Sequence, residues 1–128
     1  MMTSEAKRIL VIEDDQQVRK LFQVKLSRLG YVVDEASDGN EGLSSCQKNR
    51  YDLVITDLVM PEKEGIETII ELKKDYSDIK IIAISGGGRL DPSNYLNIAK
   101  KLGANRVFTK PVEWDQMIEA VEKLTSEA

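Results

Sequence analysis

Ile9-Leu10-Val11-Ile12-Glu13-Asp14-Asp15 sets four consecutive apolar residues directly against three acids. Four apolar residues are too few for a signal peptide or a membrane span. They suit a short strand buried on both faces of a parallel sheet. Four more runs of this kind follow, at Tyr31–Val33, Leu53–Thr56, Ile79–Ser85 and Val107–Thr109. Stripes of helical period lie between them. Val18, Leu21, Phe22, Leu26 and Leu29 form one stripe, and Ile66, Ile69, Ile70 and Tyr76 another. Tyr95, Ile98, Ala99 and Leu102 form a third, and Trp114, Met117, Ile118, Val121 and Leu124 the cleanest. The segment around Leu43 and Cys46 has the weakest helical pattern. Gly30 and Gly103 each follow a leucine that ends a stripe, where a helix closes through a left-handed residue. Asp91-Pro92 reads as an N-cap followed by proline at the first helical position. The result is a strand–helix alternation repeated five times, an α/β chain whose right-handed crossovers place helices on both faces of the sheet.

Composition narrows the possible functions. The chain has 128 residues and 14.4 kDa, the size of one domain of about 100–200 residues. A single domain over residues 1–128 is expected, with its core at about 7–124 and a fraying tail. Apolar residues make up 41% and charged residues 31%, which argues against disorder and against a membrane protein. A net charge of −4 without a Lys/Arg cluster makes phosphate-mediated binding of nucleic acid a poor expectation. The single cysteine, Cys46, makes no internal disulfide, and a free thiol points to the cytoplasm. No histidine is present, which excludes histidine-based triads, imidazole bases and most zinc sites.

In an open α/β sheet, ligands bind beyond the carboxyl ends of the strands. Glu13, Asp14 and Asp15 follow the first run, Asp57 the third, Ser85 the fourth and Lys110 the fifth. The second run delivers nothing, as a peripheral strand would. Two carboxylates within about 4 Å repel by roughly 4 kcal/mol at an effective dielectric of about 20, so a counter-charge is required. Oxygen-only ligands with room for water suit Mg²⁺ better than Ca²⁺ or zinc. Lys110 adds one positive charge suited to a phosphoryl oxygen or a carboxylate. Any one of these acids alone reads as a helix cap, and Asp15 is expected to be one. Glu13, Asp14, Asp57 and Lys110 together are much harder to explain as caps, and Ser85 gains weight only from their company.

Taken in order, these segments resemble the receiver domain of bacterial two-component response regulators. The resemblance is carried by Ile9–Asp15, by Asp52-Leu53-Val54-Ile55-Thr56-Asp57-Leu58-Val59-Met60-Pro61 with Gly65, by Ile82-Ala83-Ile84-Ser85-Gly86, and by Thr109-Lys110-Pro111. It implies a doubly wound, flavodoxin-like three-layer sandwich with parallel strand order 2-1-3-4-5. It further implies Asp57 as the phosphoacceptor, with Mg²⁺ bound by Asp14, Asp57, the main-chain carbonyl of Val59 and, through water, Glu13. Ser85 would donate its hydroxyl to a phosphoryl oxygen, and Lys110 would pair with the phosphate. The Lys110–Pro111 bond is cis in many relatives, which a tight turn tolerates. The implied partners are a sensor histidine kinase or histidine phosphotransfer protein as donor and an unknown protein target, with neither nucleic acid nor membrane. Because the chain ends with the domain, a stand-alone regulator is expected, catalysing no reaction beyond its own phosphorylation and dephosphorylation. Two other readings remain: a receiver-like module that works without phosphorylation, and a Mg²⁺-dependent phosphohydrolase.

Departures from the family pattern carry further expectations. Val107 stands where many receivers have an aromatic residue, and Phe108 is expected on the opposite strand face, in the core. Switching would then rest on Ser85 and the Gly86-Gly87-Gly88-Arg89 loop, which is either a plain flexible connection or a lid. Val59 and Gly87 offer no side chain to orient an attacking water, which implies a long-lived phosphoryl group. Trp114 is expected to anchor the last helix, and Leu96 to lie on the signalling face formed by the fourth helix, fifth strand and fifth helix.

Overall fold

The computed structural model describes residues 6–58, 64–85 and 92–126. Five strands, β1 (Arg8–Ile12), β2 (Val32–Ala36), β3 (Leu53–Asp57), β4 (Ile81–Ser85) and β5 (Arg106–Thr109), alternate with five helices. The helices are α1 (Gln16–Arg28), α2 (Gly39–Lys48), α3 (Glu64–Asp75), α4 (Pro92–Lys101) and α5 (Trp114–Ser126). The sheet is parallel throughout, in the order β2-β1-β3-β4-β5. That is the doubly wound architecture expected from the sequence.

Strand alternation splits the core into two layers. Ile9, Val11, Leu53, Ile55, Ile82 and Ile84 pack on one side with Phe22 and Leu26 of α1 and Met117, Ala120 and Val121 of α5. Leu10, Ile12, Val54, Ile81 and Ala83 pack on the other with Cys46 of α2, Ile69 and Leu72 of α3, and Ala99 of α4. Every residue of β3 and β4 is buried, which explains why their sequences are almost continuously apolar. Phe108 joins the α1/α5 layer while Val107 packs against the other, so β5 alternates as expected. Trp114 is half-buried against Phe22, edge-on with ring centroids 4.8 Å apart, and the Lys25 ammonium sits 5.1 Å over its ring.

Helix ends follow their local chemistry. Asp15 caps α1 by accepting from the backbone N–H of Gln17 and Val18 at 2.9 and 3.2 Å. Gly30 (φ 97°) closes α1 with Gly30 N–H donating to Ser27 O and Tyr31 N–H to Leu26 O. Gly103 (φ 112°) repeats the pattern after α4, a conformation that costs glycine no clash with a β-carbon. The Asp91 cap expected before Pro92, the glycine loop and Val59 all lie outside the described residues, as does the side chain of Leu96.

Three sequence expectations are revised in detail. β2 covers Val32–Ala36 instead of Tyr31–Val33, because an edge strand needs apolar residues only where it meets the core; Asp34 and Glu35 bind other side chains. β4 begins at Ile81, two residues after the start of the Ile79–Ser85 run. Leu21, Leu29, Ile70 and Ile98 belong to the helical stripes by period, yet they are among the exposed large apolar residues. A stripe drawn across a wide arc overshoots the face that reaches the sheet.

Candidate functional site at the carboxyl edge of the sheet

The register explains why acids meet here. Ile12 of β1 lies beside Thr56 of β3, so the next residues, Glu13 just past β1 and Asp57 at the end of β3, stand side by side. One carboxylate oxygen from each of Glu13, Asp14 and Asp57 lies within 4.8 Å of the others. Glu13 and Asp57 are buried, and Asp14 is exposed. Lys110, just past β5, donates from Nζ to Glu13 Oε1 and to Asp57 Oδ2, both at 2.9 Å. The Lys110–Pro111 peptide is cis, as expected.

Glu13 is tied at every polar atom. Its N–H donates to Ala36 O at 3.0 Å, and its carbonyl accepts from Arg19 Nη1 at 2.7 Å. Its Oε1 accepts from Lys110, and its Oε2 accepts from the Asp15 N–H at 3.1 Å. Burial, and then the charge of Asp57, push its carboxyl up to about 7 even though Lys110 and the Asp15 N–H pull the other way. Burial alone would lower the Lys110 ammonium, but hydrogen bonds to Glu13 and Asp57 outweigh it and its pKa is raised. Among the described residues, the Lys110 ammonium bridges two of the three clustered carboxylates. That donor set, all oxygen and open to water through Asp14, fits a hard divalent cation.

Ser85 supplies the complementary observation. It ends β4 fully buried, and its hydroxyl has no hydrogen-bond partner among the described residues. A buried hydroxyl without a partner is costly unless a ligand completes it. The backbone beside it is tied across the edge, with Leu58 N–H donating to Ile84 O at 2.8 Å and Lys110 N–H to Ser85 O at 2.9 Å.

The structure therefore brings Glu13, Asp14, Asp57 and Lys110 together and leaves Ser85 poised at the adjoining strand end. Sequence reasoning missed Arg19 and Glu35, and it read Gly65 only as part of a motif, without its steric role. Arg19 and Glu35 hold the acidic turn from outside, but an arginine in the first turns of a helix reads as a solvated charge. Gly65 lets the start of α3 lie against the acceptor turn: a β-carbon there would strike the Asp57 carbonyl and come within 2.6 Å of Leu58 Cα.

Known proteins are similar to this chain along nearly its whole length. The family model described as the response regulator receiver domain matches residues 9–122. Sporulation initiation phosphotransferase F of Bacillus subtilis is 32% identical over 91% of this chain and 92% of its own length. Several other curated relatives are regulators of which the chain spans about half the length. Among solved structures, a CheY-like receiver domain protein from Methanospirillum hungatei superposes with a TM-score of 0.84 at 28% identity, covering 94% of each chain. The response regulator TrrA from Thermotoga maritima, in complex with Mg²⁺-BeF, superposes with a TM-score of 0.80 at 33% identity, covering 92% of this chain and 98% of that one. No helix among the described residues is long and apolar enough to cross a membrane. The match spans nearly the whole chain in order, so this chain belongs to the response regulator receiver domains, Mg²⁺-binding proteins that take a phosphoryl group onto an aspartate from histidine kinases or phosphotransfer proteins.

Proposed function

We propose that Asp57 accepts the phosphoryl group, from a phosphohistidine on a sensor histidine kinase or histidine phosphotransfer protein, and that residues 1–128 act as one receiver domain, core about 7–124, in the cytoplasm. The observation that carries this reading is the meeting of Glu13, Asp14 and Asp57 within 4.8 Å beside a lysine that touches two of them.

The chemistry follows from the residues. An oxygen of the Asp57 carboxylate attacks phosphorus in line, the phosphorus–nitrogen bond breaks, and its electron pair leaves with the imidazole. Lys110 moves its hydrogen bond from Asp57 to a phosphoryl oxygen, so the ammonium is already within reach when charge develops. The Ser85 hydroxyl, without a partner among the described residues, donates to another phosphoryl oxygen. Glu13, Asp14, Asp57 and the carbonyl of Val59 would hold Mg²⁺, which supplies charge neutralisation for the carboxylates and the equatorial oxygens. The protein catalyses its own phosphorylation and dephosphorylation in this reading and turns over no other substrate. The charge of the phosphoryl group and its new bond to Ser85 alter a protein-binding surface for a downstream target.

The test is labelling with a small acyl phosphate in Mg²⁺, followed by intact mass and base lability. Wild-type protein gains one acid-stable, base-labile phosphoryl group, and Asp57→Asn gains none. Equal labelling of the variant refutes the assignment of Asp57. Failure of the wild type to label under any donor favours the phosphorylation-independent module, and continuous phosphate release from an unrelated phosphomonoester favours a hydrolase.

A further inference from the structure

We infer that Arg19 is a positioning residue that fixes the acidic turn for Mg²⁺, with Glu35 on the edge strand as its anchor; the inference rests on the magnesium-binding role just proposed for Glu13, Asp14 and Asp57. Arg19 lies in the second turn of α1, half-buried, and its guanidinium makes two different ties. Nη1 donates to the Glu13 carbonyl at 2.7 Å, and Nε donates to Glu35 Oε1 at 3.2 Å. Glu35 is itself drawn on from the other side by Lys20 Nζ, 3.5 Å from Oε2.

The geometry selects arginine. One planar fork has to reach a main-chain oxygen after β1 and a carboxylate on β2 at once, which a single ammonium with its point charge does poorly. The carbonyl that Arg19 grips belongs to the peptide joining Glu13 to Asp14, so the guanidinium sets the plane from which the Asp14 carboxylate departs. Asp14 is exposed, whereas Glu13 is buried and held at its other three polar atoms. Arg19 is thus the tie through which the rigid half of the turn controls the open half. β2, which sends no side chain into the site, contributes to it through Glu35.

Isothermal titration of metal-free protein with Mg²⁺ alone at neutral pH tests this, alongside thermal melting. Arg19→Ala weakens Mg²⁺ by about 10–100-fold, in the range that outer-shell partners of metal ligands contribute. Labelling by a small acyl phosphate slows at low Mg²⁺ and recovers at saturating Mg²⁺, a split that a loss of fold stability alone does not produce. Arg19→Lys, which keeps the charge and the fold should the alanine variant fail to fold, gives an intermediate affinity. A lowered melting temperature with unchanged Mg²⁺ affinity in both variants overturns the positioning role and assigns Arg19 to stability only. Absence of Mg²⁺ binding by the wild type sinks the magnesium reading itself, a result distinct from failure of the variants.

Discussion

The two ends of this sheet are built on opposite rules. At the amino end, polar side chains close on the backbone or on one another. Tyr51 donates to Asp34 at 2.6 Å, Arg8 N–H donates to Asp52 at 2.8 Å, Lys73 Nζ donates to Ile79 O at 2.7 Å, and Asn105 accepts from Ile81 N–H at 2.9 Å. At the carboxyl end, buried acids crowd together, a buried hydroxyl has no partner among the described residues, and one lysine is shared between two carboxylates. At the amino end even Arg8 Nε, which makes no hydrogen bond among the described residues, lies 3.3 Å from the Asp34 carboxylate, whereas the carboxyl end gathers like charges and a hydroxyl that a ligand would complete. Marginal stability leaves room for only a few such groups, and the crowded acids are held by a fully buried core beneath them.

Substitutions at the two ends should therefore separate labelling from stability. The largest effect is expected for Lys110→Ala, which removes the cation facing Glu13 and Asp57. Labelling should fall by about 100-fold or more, the usual loss when one charge stabiliser is removed from a transition state. A labelling rate within about threefold of wild type would erase the contrast between the ends. Gly65→Ala comes next, since the new methyl must displace the acceptor turn. It should cost about 1–3 kcal/mol in denaturant unfolding and slow labelling as well. Tyr51→Phe at the amino end should cost about 1–2 kcal/mol and leave the labelling rate unchanged.

The smallest effect concerns the Cys46 thiol, pushed by burial from 9.0 up to about 11. Because the native state holds this proton more tightly than the unfolded chain, its contribution to stability is full below about pH 9 and declines as pH rises toward 11. Alkylation of the native protein at pH 8 should be slow, with roughly one thiol in a thousand ionised, and should become rapid on unfolding. Fast native alkylation would show that the layer holding Cys46 opens more readily than its packing implies.

What could be read beforehand divides along physical lines. β1, β3 and β4 were legible because burial on both faces demands unbroken apolar runs. β2 was only half legible, since Asp34 and Glu35 interrupt its pattern to serve contacts with residues distant in sequence. Glu13, Asp14, Asp57 and Lys110 were legible because strand-end chemistry is set by position along each strand. Arg19 was not, because its partners are a carbonyl and an edge-strand acid that only the fold brings near. The tight approach of Gly42 to the Ile12 side chain was equally invisible, since closeness between a helix and a strand leaves no mark in local composition.

The pairing of Ile12 with Thr56 has a consequence for how the chain reaches its native state. Sliding β1 by one residue along β3 would part the two acids and relieve their repulsion, but it would also turn Leu10 and Ile12 away from their own layer. Alignment must therefore be chosen by oil-like contacts against an opposing electrostatic pull. Magnesium added during refolding should sharpen that choice, because it rewards only the correctly aligned pair.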